Sequence, residues 1–401
     1  MPMPADTDVR PAREDVRARA AVAAMFFTNG ALIANLIPRY PEIKAELGMG
    51  NSAYGLAVAA FPAGAIVAGL AAGVLVRRFG SARVAVVSTA LAGLGVIAAG
   101  LAPVTLVFAA AGFVAGAMDS ITDVAQNAHG LRVQRRYGRS IINSFHAVWS
   151  IGAVTGGAMS AGAIALGIDR APHLIGAVAL LAVVALVALR FSLPGPEDAE
   201  QPEPAAAGGA GRFASAGRVV PVLAALVLIA TAGTLVEDAG NSWAAIYLGG
   251  LGAPAALAAS GYIALVGTQF IGRISGDRLV DRFGQRTVAR AGGIVVAVGF
   301  GLALALPTVP GTVVGFAAAG LGIATLVPAA MHEADELPGL RPGTGLTVVS
   351  WLMRLGFLLS PPVVGLIADA SSLRLGLVVV PIAGALVVLL AGVLKQERAN
   401  A

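Results

Sequence analysis

Asp119, Asp123 and Asn127 recur at intervals of four within a long apolar stretch of the chain. On a helix that spacing sets them in one stripe, each about 40° round from the last. His146 follows in the next apolar stretch at a comparable expected depth, so an Asp123–His146 contact is expected. Such a pair is either a relay for a proton or solute or a buried strut between two helices. Further on stand Glu237 and Asp238, neighbours whose side chains project about 100° apart, so that only one of them can face a given cavity. Arg354 lies alone in a late apolar stretch. Carboxylates and imidazole can take up and release protons, whereas a guanidinium stays charged and needs an anion beside it.

The elements that carry these residues follow from composition. The chain has 401 residues, 57% of them apolar and 52 of them Gly, with 12% charged, about half of the roughly 25% usual for soluble domains. A mean hydropathy of +0.83 spread along the chain excludes both a soluble enzyme and a soluble domain with one anchor. There is no Cys, which excludes disulfides, iron–sulfur clusters and thiolate zinc sites. The net charge of +5 is scattered in short clusters between apolar runs, so it does not point to nucleic acid.

A helix needs about 20 apolar residues to cross a bilayer. Twelve such runs are predicted, at 20–38, 53–76, 84–103, 105–128, 141–166, 173–193, 220–247, 253–276, 287–307, 312–332, 344–368 and 375–394. The first follows Arg10, Arg13, Arg17 and Arg19 and is read as an uncleaved first helix. Of 27 basic residues, 22 fall on one side of the membrane, Arg273 among them. Arg39, Lys44, Arg170 and Arg374 fall on the other, and Arg354 is left inside a span. The excess marks the cytoplasmic side, with both termini there, in a multi-pass protein of the cytoplasmic (inner) membrane.

The Pro-, Gly- and Ala-rich segment 194–219 is too poor in large apolar residues to fold by itself and divides the chain. The expected units are a tail at 1–19, a six-helix bundle at 20–193, a cytoplasmic linker at 194–219, a second bundle at 220–394 and a tail at 395–401. Leu75-Val76-Arg77-Arg78-Phe79-Gly80 is echoed 204 residues later by Leu279-Val280-Asp281-Arg282-Phe283-Gly284, and the same shift lays each span of the first half on one of the second. The expected fold is therefore all-α and integral to the membrane, with twelve transmembrane helices in two pseudo-symmetric six-helix bundles.

Polar residues map the interior, because an ionised side chain at mid-bilayer costs at least about 2.5–3.5 kcal/mol. Spans 3, 6, 9 and 12 are nearly pure Ala, Val, Leu, Ile and Gly and are expected to face lipid. Asp119, Asp123, Gln126, Asn127, His146, Glu237, Asp238, Asn241, His332, Glu333 and Arg354 lie on spans 4, 5, 7, 10 and 11, with Asn29 and Asn35 on span 1. Proton coupling falls to Glu237, placed in the outer half of its helix, with Asp119, Asp123 and His146 as further candidates. Arg354, near the midplane, is expected to pair with Asp119, with Glu237, or with each in turn. Asn29, Asn127, Asn241, Trp149, Trp351 and Arg354 are the candidates for the substrate cavity, since indole faces beside polar groups suit a ring-shaped polar solute. For Trp149, helix packing is the competing reading. Trp243 is placed for an interfacial belt. Gly152 and Gly156 form a small-xxx-small pair for helix packing.

This layout resembles the major facilitator superfamily. The turn after the second span is similar to its signature Gly-x-Leu-x-Asp-Arg-x-Gly-Arg-Lys, here Gly73, Leu75, Arg78 and Gly80, with Arg77 in the place of the acid. The second half keeps the acid as Asp281, followed by Arg282 and Gly284, with Asp277 in place of the first glycine. The resemblance implies a cytoplasmic gate motif in which that acid latches one half against the other. Segments 123–136 and 144–157, and the path from Glu237 through Trp243 to 272–284, resemble the MosC-like branch, named for a rhizopine transport protein. That branch often has acids where Ser242 and Gln134 stand here.

The Asp119-to-Asp123 spacing is also that of magnesium-pyrophosphate sites in membrane prenyltransferases. Those enzymes need a second acidic segment, and the matching place holds Gly322, Ile323 and Val327. No GxxxxGK[ST] loop is present. The expectation is a secondary active transporter, not an enzyme. It would move a small polar organic solute, sugar- or cyclitol-like, by alternating access with proton coupling. Proton-driven export of a drug or metabolite is the alternative, and a non-transporting membrane receptor a more distant one. The expected partners are solute, protons and lipid, with no nucleic acid, cofactor or metal, and a monomer is expected to suffice.

Overall fold

The computed structural model describes residues 12–138, 140–195, 216–340 and 343–395. Twelve helices among them are long and apolar enough to cross a membrane: α1 (Arg13–Glu46), α2 (Asn51–Phe79), α3 (Ser81–Gly100), α4 (Thr105–Tyr137), α5 (Ile142–Ala165), α6 (Arg170–Arg190), α7 (Val219–Gly250), α8 (Ala255–Phe283), α9 (Gln285–Ala305), α10 (Val309–Asp335), α11 (Thr344–Ala370) and α12 (Leu373–Val393). Each expected apolar run falls on one of them. Several helices outrun the apolar stretch, because a helix keeps its backbone bonds closed as it leaves the hydrocarbon. Thus α4 continues beyond residue 128, and its Arg136 pairs with Glu14 at 3.2 Å and Asp15 at 2.9 Å on the opening turn of α1. Most of the expected linker (196–215) and parts of both expected tails (1–11 and 396–401) lie outside the described residues.

The twofold repeat is visible in the packing. In the first half α4 packs on α2 and α3, α1 on α5 and α6, and α3 on α6; in the second, α10 packs on α8 and α9, α7 on α11 and α12, and α9 on α12. Exposed large apolar side chains are found on α3, α6, α9 and α12, among them Leu91, Leu94, Leu186, Val298, Leu302 and Leu389, but equally on other helices, as at Leu70 of α2, Leu106 of α4 and Ile274 of α8, so exposure does not single out every third helix.

Lipid tails are as apolar as the side chains, so close backbone approach must supply much of the cohesion between membrane helices. A Cβ at Gly152 would collide with the Phe27 carbonyl, and one at Gly156 with the Ala31 carbonyl and, at 2.9 Å, with Ala34 Cβ. Nothing lies within 4 Å of a Cβ placed at Gly162, further along α5. Gly156→Val is therefore expected to force α1 and α5 apart and to cost about 3 kcal/mol or more. Gly162→Val should leave thermal unfolding of the purified protein within about 0.5 kcal/mol of wild type, as is usual away from packed sites.

The ends of the bundle differ. One face holds the start of α1 and the α2–α3, α4–α5 and α8–α9 turns, with most of the arginines. The opposite, arginine-poor face spends its own arginines on structure. Arg39 pairs with Glu42 at 3.1 Å and donates to the Ile168 carbonyl at 2.7 Å, while Arg170 pairs with Glu42 at 3.1 Å and Glu46 at 2.5 Å. Arg374 donates to the Leu304 and Ala305 carbonyls that end α9, at 2.6 and 3.0 Å.

Contacts between the halves run through α2–α11, α5–α8 and α1–α7. The hydrogen bonds seen between them gather at the arginine-poor face. Asp369 accepts from the Asn51 and Ser52 amides at 3.0 and 2.7 Å, and Tyr54 Oη donates to the Ser242 carbonyl at 2.6 Å. Trp243, expected in an interfacial belt, is instead fully buried, edge-on to Tyr54 with ring centroids 4.9 Å apart. It stands near the end of its helix, but that end is covered by the other half.

Candidate solute pathway

The first half contributes a chain of amides and acids. Trp149 Nε1 on α5 donates to Asn29 Oδ1 on α1 at 2.8 Å, and Asn29 Nδ2 donates to Asp119 Oδ1 on α4 at 2.7 Å. This ties α1, α4 and α5 together through Trp149, Asn29 and Asp119. One turn further, Asp123 accepts from Asn127 Nδ2 at 3.0 Å and Gln126 Nε2 at 3.4 Å. Asp123 and His146 are nonetheless exposed, although each lies on a membrane helix. Their charges lie close enough to influence each other, but the expected direct contact between them is not seen among the described residues. His146 also stands edge-on to Phe26, with ring centroids 5.2 Å apart.

In the second half, the placement of Arg354 begins with a break in α11 at Met353. The Met353 carbonyl accepts from Thr234 Oγ1 of α7 at 2.7 Å. A Cβ at Gly356 would collide with Thr234, so α7 and α11 touch backbone to backbone at that level. From there Arg354 reaches across to the first half, its Nη1 3.7 Å from where a Cβ would stand on Gly69 of α2, in a notch shared with Ser120 Oγ. Its charge acts on Asp123. No carboxylate lies within 4 Å of it among the described residues, and neither expected partner is in place. Asp119 is held by Asn29, and Glu237 Oε2 accepts from Gln269 Nε2 of α8 at 2.8 Å with Arg273 Nη2 at 4.0 Å. Both acids are committed to nearer donors.

Arg273 is the largest departure from the sequence reading. Counted there with the charges of one side, it lies within α8, ten residues before Phe283. Arg354 is likewise ten residues from the start of α11, so both guanidinium-bearing residues lie about 15 Å from the arginine-rich helix ends. Arg273 also acts electrostatically on His146 across the seam. Gln269 and Arg273 were legible only as polar interruptions of the eighth apolar run.

The remaining candidates are dispersed. The buried Oδ1 of Asn241 has no partner among the described residues. Trp351 is 49% exposed and takes no part in the network. His332 is exposed and stands 3.7 Å from Glu336, while Glu333 accepts from the Lys395 amide at 3.1 Å and so fastens the chain after α12 at the end of α10. Asp238 is buried at the seam, with Ser242 Oγ at 3.3 Å. The gate-motif residues form two like turns: Gly80 and Gly284 take φ of 85° and 80°, a left-handed region suited to Gly. Arg78 and Arg282 lie over Phe79 and Phe283, 5.4 and 5.2 Å from the ring centroids. Gly73 faces Arg77 on the same helix. Asp281 is exposed, and no bond from these turns to the other half is seen among the described residues.

A repeated twelve-helix membrane bundle with charged groups from both halves facing one seam has the architecture of a polytopic solute transporter. The chain belongs to the Major Facilitator Superfamily, a family of membrane transporters, whose model matches residues 22–280. It is 31% identical over 378 residues to the uncharacterized transporter y4wD of Sinorhizobium fredii (strain NBRC 101917 / NGR234), covering 94% of this chain and 97% of that one. It is 29% identical over 369 residues to the membrane protein MosC of Rhizobium meliloti, covering 92% and 88%. The crystal structure of a D-xylose–proton symporter shares the fold, with a TM-score of 0.70 at 17% identity over 94% of this chain and 96% of that one.

Proposed function

We propose that the protein is a proton-coupled secondary transporter of a small polar organic solute, sugar- or cyclitol-like, working by alternating access as a monomer in the cytoplasmic membrane. The arginine-rich face is cytoplasmic by the positive-inside rule, with both termini there, so the arrangement seen is closed to the outside. The bundles at 20–193 and 220–394 rock about the seam, joined through 194–219. The observation that carries this reading is the seam itself. Arg354 of one half enters the notch at Gly69 and Ser120 of the other, one turn before Asp123, and Arg273 stands 4.0 Å from Glu237. Glu237 is the proton carrier: taking up a proton removes the charge that holds Arg273 and frees the guanidinium for the solute. The fold shared with a D-xylose–proton symporter supports the solute class.

The test is uptake of labelled sugars, inositols, amines and drugs into proteoliposomes with and without a pH gradient, after a thermal-shift screen has ranked ligands. Gradient-dependent accumulation of a neutral or weakly charged polyol is the expected result. Accumulation indifferent to the gradient would remove proton coupling, and extrusion of a lipophilic cation would make the protein an exporter.

A further inference from the structure

The helix of α2 starts at Asn51 after Gly50, a residue without a side chain to cap it. The first amides of a helix have no partner within it, and they carry the positive end of its dipole. Here a carboxylate from the other half fills the place, as Asp369, in the last turn of α11, takes both the Asn51 and Ser52 amides. Close contacts flank it on the same seam. A Cβ at Gly55 would meet the Pro361 carbonyl, and one at Gly365 the Asn51 carbonyl.

We infer that Asp369 is a conformational latch, a residue of one half that caps a helix of the other and so holds the arginine-poor face shut. The inference rests on the alternating-access reading above. When the halves part at this face, the two amides and the carboxylate must exchange each other for water, so the cap exists only in the closed arrangement and biases the equilibrium toward it. The device is single: shifted by the repeat of 204 residues, Asp369 falls on Ala165, at the end of α5, and the α5–α8 seam has no carboxylate at that position.

The chain has no Cys, which allows clean spin labelling. Labels at Leu101→Cys and Ala255→Cys, one on each half at the arginine-poor face, report opening as a longer distance by pulsed electron resonance of the full chain in proteoliposomes. Asp369→Ala should raise the open-to-closed ratio about 3- to 30-fold, the range that loss of one helix cap gives, with Asp369→Asn intermediate. Asn51→Pro provides the independent variant. It deletes one of the two amides but leaves Asp369 in place, and Pro suits the first helical position, with Gly50 already extended at ψ 168°. It should shift the ratio the same way. Wild-type distances that respond to pH and solute, with folded variants that keep the wild-type ratio, would overturn the latch alone. A wild-type distance fixed under every condition would overturn both the latch and the transport reading.

Discussion

Glu237→Gln should abolish gradient-driven accumulation while sparing exchange of solute between the two sides of the membrane. A pH difference of one unit corresponds to about 1.4 kcal/mol, so one coupled proton supports a roughly tenfold solute ratio per unit. The variant should hold a ratio of about 1 at any gradient, since without a proton carrier nothing couples solute to the gradient. Gln is nearly isosteric with Glu and retains an oxygen for Gln269 Nε2, which now donates to Glu237 at 2.8 Å, so folding should survive. Glu237 also lies just past the middle of α7, 18 residues from Val219 and 13 from Gly250, a depth that both faces can reach in turn. Undiminished accumulation in Glu237→Gln would reject the coupling role.

Arg354→Ala is expected to cost both transport and stability. The guanidinium is the cation from the second half that reaches the first at Gly69 and acts on Asp123. Removing one member of a desolvated pair costs about 3–5 kcal/mol, because the other charge is left behind. Here no carboxylate among the described residues lies within 4 Å of Arg354 and exposed Asp123 keeps its Asn127 and Gln126 donors, so the loss should be about 0.5–1 kcal/mol, as for a solvated charge interaction. Asp123→Asn combined with Arg354→Ala should recover most of the thermal stability without recovering solute binding. That separation would distinguish a solute-binding arginine from a structural one. Normal expression with normal transport in Arg354→Ala would make the residue incidental.

What the sequence disclosed was whatever hydropathy and spacing encode. The twelve helices and the repeat are properties of one stretch, or of two stretches compared. The pairings across the seam are different in kind. Arg354 ends at Gly69, and a glycine gives no signal of what it makes room for. Asp369 and Asn51 are 318 residues apart and share no periodicity. Trp243 looked like a headgroup anchor because its distance from the helix end was visible and the half covering that end was not. Arg273 was assigned to the charges of one side for a similar reason. An arginine near the end of an apolar run is indistinguishable from one inside the helix until the neighbouring carboxylate, Glu237 on α7, is located.

The central claim is that the exposed side chains of the seam meet water from one face at a time, and reactivity of a single cysteine at His146 tests it most directly. With His146→Cys in proteoliposomes of known orientation, a membrane-impermeant thiol reagent should react from the arginine-rich face in the resting protein. Added solute with a pH gradient should transfer part of that reactivity to the arginine-poor face. A thiol that stays inert from both faces under all conditions, while the protein remains folded, would contradict the account.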